Sequence, residues 1–189
     1  CIVYIADRYG VAIADISTGD YFVTELPDSS RLMDEIYKFS PSEIICNEAF
    51  YMSGMDLDAM RDKLGITIYS LDSWYFDDAV CKDKLLEHFK VKNFAGLGLA
   101  DYDCGIISAG ALLIYLFETQ KNSLSNLTHI TPYITGKYML IDSSTRRNLE
   151  LCETLREKQK RGSLLWVLDK TRTAMGARTL RKNVEQPLI

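Results

Sequence analysis

Three carboxylates near the start of the chain have the residue type that metal-dependent hydrolysis of nucleic acid would use. Asp7 ends the first predicted strand, Glu35 lies on the first predicted helix, and Glu48 follows the fourth predicted strand. A two-metal nuclease holds its ions with several converging carboxylates. A site on this sheet would also need an acid midway along the first strand, where the chain has Val3-Tyr4-Ile5. We therefore interpret the three acids as solvated groups at the ends of elements.

Two further stretches could be read as catalytic or phosphate-binding. Asp15 precedes Ser17 and Thr18 in a turn, where a short carboxylate is expected to hydrogen-bond the turn backbone. Gly96-Leu-Gly98 has no strand directly before it and no Gly-Lys-Ser/Thr after it. A nucleotide-binding loop of the Walker type is therefore not predicted anywhere in the chain.

The cysteines and histidines do not have the spacing of a metal site. The chain has five cysteines, and none of them forms a Cys-x-x-Cys pair. Structural or surface roles are expected for His88 and His129. Dispersed cysteines suit a reducing cytosol, which predicts a cytoplasmic protein without a zinc site. The longest apolar run, residues 111–117, is too short for a membrane span, and no signal segment is present.

Charge divides the chain into an acidic and a basic part. Residues 1–142 have 11 Lys/Arg against 21 Asp/Glu, a net charge of −10, whereas residues 143–189 have 11 against 5, a net charge of +6. The basic residues are scattered through helix-forming sequence, which favours docking or solvation over nucleic-acid binding. One of the two neighbours Arg146 and Arg147 is expected to pair with an acid such as Glu150, and Trp166 is expected to pack in a core.

The first 71 residues alternate between two kinds of periodicity. Short turns join apolar stretches at residues 2–6, 11–14 and 21–26, which predicts an antiparallel meander. Predicted strands at 43–46 and 66–71 then alternate with amphipathic helices, which predicts parallel crossovers. A meander followed by crossovers is the order of the RNase H-like fold, so the predicted class is α/β with a mixed sheet.

The rest of the chain is predicted to be mainly helical. Helices are expected at 78–89 and at 105–120, the second being apolar nearly all round and therefore buried. A polar stretch at 121–126 predicts a domain boundary, and residues 138–141 are predicted to be extended. Three short helices should follow, the first carrying Leu149, Cys152 and Leu155 on one face. Their apolar sides are expected to pack on another copy, to lean on the first domain, or to be mobile.

Several linked blocks of sequence resemble one known family. The blocks are 142–151 (DSSTRRNLEL), 163–171 (SLLWVLDKT), 173–178 (TAMGAR) and 185–188 (EQPL), with 15–20 (DISTGD) and 96–101 (GLGLAD) upstream. Together they resemble the connector domain and the start of the core, or lever, domain of bacterial MutS, a DNA mismatch-repair ATPase. The resemblance covers nearly the whole chain. The chain also begins without Met inside a predicted strand, so we expect it to be a piece of a longer protein.

The resemblance implies a domain plan and a role. Residues 1–123 would be an RNase H-like connector, and residues 124–189 the first part of an α-helical core domain. This segment would have no catalytic residue, metal, cofactor or DNA-binding residue of its own. The parent protein would bind mismatched DNA, use ATP and Mg²⁺ in a domain absent here, and pair with a second MutS subunit. The segment would couple the DNA-gripping end to the ATPase end.

The resemblance also implies a partner surface. The connector of this family contacts MutL, and the matching positions here are Asp83 and Lys84 on the helix at 78–89. The best-known relatives have glutamines at these positions. The alternative function is a divergent RNase H-like, metal-dependent nuclease that would lose activity when Asp7 becomes Asn. A free-standing DNA-binding module is a third interpretation, with an affinity that falls steeply with salt.

Overall fold

The chain forms two compact units. The computed structural model describes residues 1–120, 124–133, 139, 141, 143–185 and 187. Unit 1 comprises Cys1–Leu32 and Ser40–Tyr133, and unit 2 comprises Met33–Phe39 and Ile134–Ile189. Unit 1 thus continues past residue 123, where the sequence predicts the first domain to end. The predicted extended piece at 138–141 lies largely outside the described residues.

Unit 1 is built on a six-stranded mixed sheet with the order β5-β4-β1-β2-β3-β6. The strands are β1 (Ile2–Ile5), β2 (Arg8–Asp15), β3 (Asp20–Leu26), β4 (Glu43–Cys46), β5 (Thr67–Ser70) and β6 (Thr131–Pro132). The strands β1, β2 and β3 are antiparallel, β4 is parallel to β1, and β5 is parallel to β4. The predicted meander and crossovers are confirmed, while the RNase H-like assignment stays a prediction.

The turn between β2 and β3 forms as the sequence predicts. The Asp15 carboxylate accepts a hydrogen bond from the Ser17 amide at 2.8 Å, so its role is structural. Gly19 then adopts a φ of 78°, which a side chain would disfavour. β6 was not predicted; it pairs in parallel with β3 through Thr131 and Pro132.

Helices alternate with these strands along the chain. They are α1 (Ser29–Phe39), α2 (Glu48–Tyr51), α3 (Leu57–Leu64), α4 (Asp78–Phe89) and α5 (Cys104–Gln120), with 3-10 helices at Ser73–Phe76 and Phe94–Leu97. The prediction that α5 is buried is confirmed, since eleven of its residues are buried. Gly10 of β2 lets α5 approach closely, because a Cβ there would lie 2.1 Å from the Cys104 carbonyl oxygen.

Glu25 of β3 fixes the start of α5. Its Oε1 accepts hydrogen bonds from the amides of Asp103 at 2.6 Å and Gly105 at 2.8 Å. The first amides of a helix have no partner within the helix, and a carboxylate also interacts favourably with the helix dipole. Glu25 therefore replaces a local cap with a contact from a distant strand, and ties the helix to the sheet.

Unit 2 has three further helices, α6 (Ser143–Asn148), α7 (Leu164–Leu168) and α8 (Ala174–Glu185). The expectation that a helix continues through Leu155 is wrong. Glu150 has a φ of 47°, which ends the helical path, and Leu149 is 57% exposed while Leu151 is buried. The predicted restart at Gly162 and Ser163 is confirmed, because Ser163 Oγ caps α7 by accepting from the Trp166 amide at 3.2 Å.

The expected apolar exposure of these short helices is confirmed for α7. Leu164, Trp166, Val167 and Leu168 are all between 44% and 57% exposed within the described chain, and only Leu165 of this helix is buried. The prediction that Trp166 packs in a core is therefore wrong. The helix has five residues, too few to turn more than one side inward, and Leu165 occupies that side.

Candidate partner-binding surface

Helix α4 carries the predicted partner contacts, and its own sequence sets its ends. Asp77 caps the helix by accepting from the Val80 amide at 3.0 Å. An ion pair between Lys82 and Asp78, 2.7 Å long and four residues apart, stabilises the first turn. Lys90 closes the helix in the left-handed conformation, with a φ of 53°. Residues within the helix or next to it therefore fix both of its ends.

The opposite side of α4 packs on α5. Cys81 and Leu85, four residues apart, are fully buried. Gly110 of α5 lies directly beneath Cys81, where a Cβ would come within 2.5 Å of the Cys81 Cα and 2.3 Å of its Cβ. Desolvation by burial raises the pKa of the Cys81 thiol to about 12, so the group is a neutral packing residue and not a nucleophile.

The structure separates the two predicted contact residues by environment. Asp83 is exposed, whereas Lys84 is half-buried. The Lys84 Nζ lies 4.3 Å from the centroid of the Phe117 ring on α5 and 3.7 Å from Glu87 Oε2. Cation–π contact with a ring restrains the long side chain. Lys84 therefore presents a charge that is already positioned, next to the freely solvated carboxylate of Asp83.

An exposed cluster of rings precedes α4, and the sequence analysis did not single it out. We call Tyr69, Trp74, Tyr75 and Tyr115 the aromatic patch. Trp74 stacks on Tyr75 with ring centroids 3.8 Å apart, and both Trp74 and Tyr69 are 48% exposed. Only the run Trp74-Tyr-Phe76 hinted at this cluster in the sequence, because Tyr69 and Tyr115 reach it from β5 and α5.

Carboxylates hold the phenols of the aromatic patch. The Tyr115 hydroxyl donates to Glu43 at 2.6 Å, and the Tyr75 hydroxyl donates to Glu118. Burial, together with the bond to Glu43, raises the pKa of Tyr115 to about 12, and the bond to Glu118 raises the pKa of Tyr75 to about 12. These phenols stay protonated at neutral pH, so the net charge of the patch comes from its carboxylates.

The three acids proposed for a nuclease site have separate structural roles. Asp7 accepts from the Tyr4 hydroxyl at 2.8 Å in the turn after β1, and Glu48 is exposed in the first turn of α2. Glu35 belongs to unit 2, where it is 4% exposed and pairs with Lys38 at 3.0 Å. Among the described residues, no three or more His, Cys, Asp or Glu side chains are grouped so as to hold a metal ion.

His88 and three cysteines of unit 1 are used for packing. His88 Nε2 lies 2.8 Å from the Leu127 carbonyl oxygen, which confirms a structural role. Cys46 and Cys104 are buried like Cys81, and desolvation raises the pKa of Cys46 to about 11 and the pKa of Cys104 above its ordinary value. These thiols are neutral and separate, as expected of a chain without a disulfide framework.

The basic side chains of unit 2 are partly engaged within it. Arg146 donates from Nη2 to the Glu185 carbonyl at 3.3 Å, in place of the expected pair with Glu150. Glu150 instead accepts from the Leu155 amide at 2.7 Å, since the chain turns back at this point. Arg147 is exposed. No helix in the described part of the chain combines the length and hydropathy that crossing a bilayer requires.

Comparison with protein families identifies the class to which this architecture belongs. A family model described as MutS domain II matches residues 1–131, and one described as MutS domain III matches residues 144–189. The chain therefore contains sequence of two MutS domains, the first of which has α/β structure. With the first match covering more than half of its length, the chain belongs to the MutS family.

The similar proteins carry one name. DNA mismatch repair protein MutS of Lachnoclostridium phytofermentans is 57% identical over 188 residues, which is 100% of this chain and 20% of that protein. The MutS proteins of Ruminiclostridium cellulolyticum and Protochlamydia amoebophila are 42% and 35% identical, over 96% and 100% of this chain and 21% and 22% of theirs. The chain thus spans about a fifth of the length of these relatives. They belong to the family that the sequence blocks resemble.

Proposed function

We propose that this chain is the non-catalytic coupling segment of a DNA mismatch-repair protein. In that protein it links the end that grips mismatched DNA to the end that binds ATP and Mg²⁺, and a second subunit completes the assembly in the cytoplasm. The supporting observation is that helix α1 is shared: its residues up to Leu32 belong to unit 1, and Met33–Phe39 belong to unit 2. We propose that this helix carries the coupling.

The second half of α1 is well buried. Glu35 and Ile36 are each 4% exposed, and the Glu35–Lys38 ion pair is almost fully buried, with 5% and 10% of the side chains exposed. A helix bends sharply only where its hydrogen-bond ladder is broken, most often by proline. The sequence of α1 contains no proline to break that ladder.

Breaking α1 should uncouple the parent protein. Asp34→Pro removes one ladder hydrogen bond and introduces a clash, at a local cost of about 3 kcal/mol. We expect ATP-induced release from mismatched duplex, measured by stopped-flow anisotropy, to become about tenfold slower, as loss of a typical coupling free energy predicts. Nucleotide-free binding of the mismatch should be retained. Asp34→Ala is the matched control, since it removes the same side chain from an intact helix, and equal release rates for both variants would contradict coupling through α1.

We further propose that Asp83 and Lys84 of α4 contact MutL. The supporting observation is that the Lys84 ammonium is held against Phe117 beside the exposed Asp83, so the pair needs little ordering on binding. This assignment is independent of the coupling through α1, because it concerns the surface of unit 1 alone.

Charge reversal at Lys84 tests the MutL assignment. In the full-length protein, Lys84→Glu places a third carboxylate beside Asp83 and Glu87 and should weaken MutL binding about tenfold in a biosensor assay. Lys84→Met keeps a long side chain over Phe117 without the charge, so it separates electrostatic from packing effects and should weaken binding less. Unchanged MutL affinity of the Lys84→Glu protein would remove the assignment.

A further inference from the structure

Strand β5 forms one edge of the sheet and presents unused backbone groups. Its register with β4 is Thr67 opposite Glu43 and Ser70 opposite Cys46. The amides of Thr67 and Leu71 bond to β4-side carbonyls, those of Ser42 and Cys46. Since alternate residues of a parallel strand face the same neighbour, Ile68 and Ser70 direct their N–H and C=O groups away from the sheet.

Only one of these outward groups is engaged within the described residues. Arg61 of α3 donates from Nη2 to the Ile68 carbonyl at 3.1 Å. The guanidinium is held in turn by Asp58 at 2.9 Å and by the Tyr51 hydroxyl at 3.2 Å. No hydrogen bond in the described chain reaches the amides of Ile68 and Ser70. An exposed edge of this kind is a template for an added strand.

The side chains beside this edge specify what such a strand should carry. Tyr69 of β5 lies opposite Ile45, two residues along β4 from Glu43, so the side chains of Tyr69 and Glu43 share one face of the sheet. Tyr115 donates to that same Glu43. The aromatic patch thus lies next to the open edge, with Glu43 and Glu118 bound to its hydroxyls. The acids that raise the pKa values of Tyr75 and Tyr115 are Glu43, Glu118 and Asp72. Exposed rings among carboxylates attract lysine and arginine side chains through cation–π contacts and ion pairs.

We propose that the β5 edge binds an extended, lysine- or arginine-bearing segment of a partner protein, which adds to the sheet as a further strand. Backbone hydrogen bonds to Ile68 and Ser70 supply the pairing, and every second side chain of the segment lies over the aromatic patch. Basic residues at alternate positions therefore meet Tyr69, Trp74 and the carboxylates together. This surface is distinct from Asp83 and Lys84, and it does not depend on the function proposed above.

A designed peptide tests strand addition directly. The probe is a labelled acetyl-(Lys-Val)3-amide peptide, in which the lysines share one face, titrated into the 189-residue chain at low salt. We expect saturable binding by fluorescence anisotropy, with hydrogen exchange of the Ile68 and Ser70 amides slowed about tenfold at saturation. The acidic peptide acetyl-(Glu-Val)3-amide should not bind. Equal binding of the two peptides, or no binding of either, would overturn the proposal.

Two variants separate strand addition from charge attraction. Ser70→Pro removes an outward amide without cutting the β4–β5 ladder, and should weaken peptide binding about tenfold relative to Ser70→Ala. Glu118→Lys, at an exposed site, should also weaken binding about tenfold and keeps the test open if the proline variant does not fold. Peptide that binds without protecting the Ile68 and Ser70 amides, or that ignores both substitutions, would refute an added strand at β5.

Discussion

Replacing Gly110 with alanine should lower the free energy of unfolding of unit 1 by about 3 kcal/mol, at the upper end of typical overpacking effects. The new Cβ would lie 2.5 Å from the Cys81 Cα and 2.7 Å from its carbonyl oxygen, both backbone atoms that cannot rotate away. Helix α4 would have to lift from α5. The higher helix propensity of alanine offsets only about 1 kcal/mol.

Thermal and urea unfolding followed by circular dichroism measure this effect. A loss of about 3 kcal/mol corresponds to a melting temperature lower by roughly 10 °C for a domain of this size. Gly96→Ala is the matched control, because nothing lies closer than 3.8 Å to a Cβ there, and it should be near neutral. Similar stability of the two variants would show that α4 does not depend on close approach at Gly110. Gly110→Ala should also weaken the MutL binding that we propose for Asp83 and Lys84 on α4.

Removing the Glu25 carboxylate, in a separate variant, should lower the free energy of unfolding by about 3 kcal/mol. Glu25→Ala leaves the amides of Asp103 and Gly105 without their acceptor, and each hydrogen bond to a charged group is worth roughly 1.5–3 kcal/mol. It also removes the weak ion pair with Arg8, which is 3.9 Å long and largely exposed on the arginine side.

The isosteric variant Glu25→Gln separates shape from charge. Its amide oxygen can accept the same two hydrogen bonds, but without the charge that strengthens them, so the loss should be about 1 kcal/mol. Urea denaturation gives both values, and hydrogen exchange of the first turn of α5 should accelerate in the alanine variant before global unfolding. Equal losses for alanine and glutamine would mean that charge alone matters at the start of α5.

The sheet could be predicted because its signals are local. Strands β1 to β3 combine β-branched runs with a turn at Gly19, and β4 and β5 alternate with amphipathic helices. These patterns set strand direction as well as position, since short turns require antiparallel neighbours. Helix α5 was equally clear, because it is apolar on nearly every side.

The elements that the sequence misjudged depend on distant contacts. β6 is two residues long and contains Pro132, so nothing in its own composition indicates a strand; pairing with Phe22 and Val23 makes it one. The helix expected through Leu155 ends early because Glu150 is left-handed, although no glycine marks the position. The helical spacing of Leu149, Cys152 and Leu155 therefore does not correspond to one face of a helix.

The candidate surfaces likewise combine features that the sequence predicts with features that only the tertiary structure shows. The resemblance places Asp83 and Lys84 on α4, but the packing of Lys84 on Phe117 joins residues from two helices far apart in sequence. The open edge of β5 likewise became visible only with the register against β4 and the contact from Arg61. Motifs found the helix, whereas tertiary structure decided which of its groups are held in place.

The three buried cysteines of unit 1 can report local unfolding. The thiolate is the form of cysteine that reacts with alkylating reagents. Cys46, Cys81 and Cys104 are shielded from solvent, and their raised pKa values keep them protonated. Their modification must therefore wait for the local structure to open. Because they lie on β4, α4 and the start of α5, the order in which they react would report which of these elements detaches first.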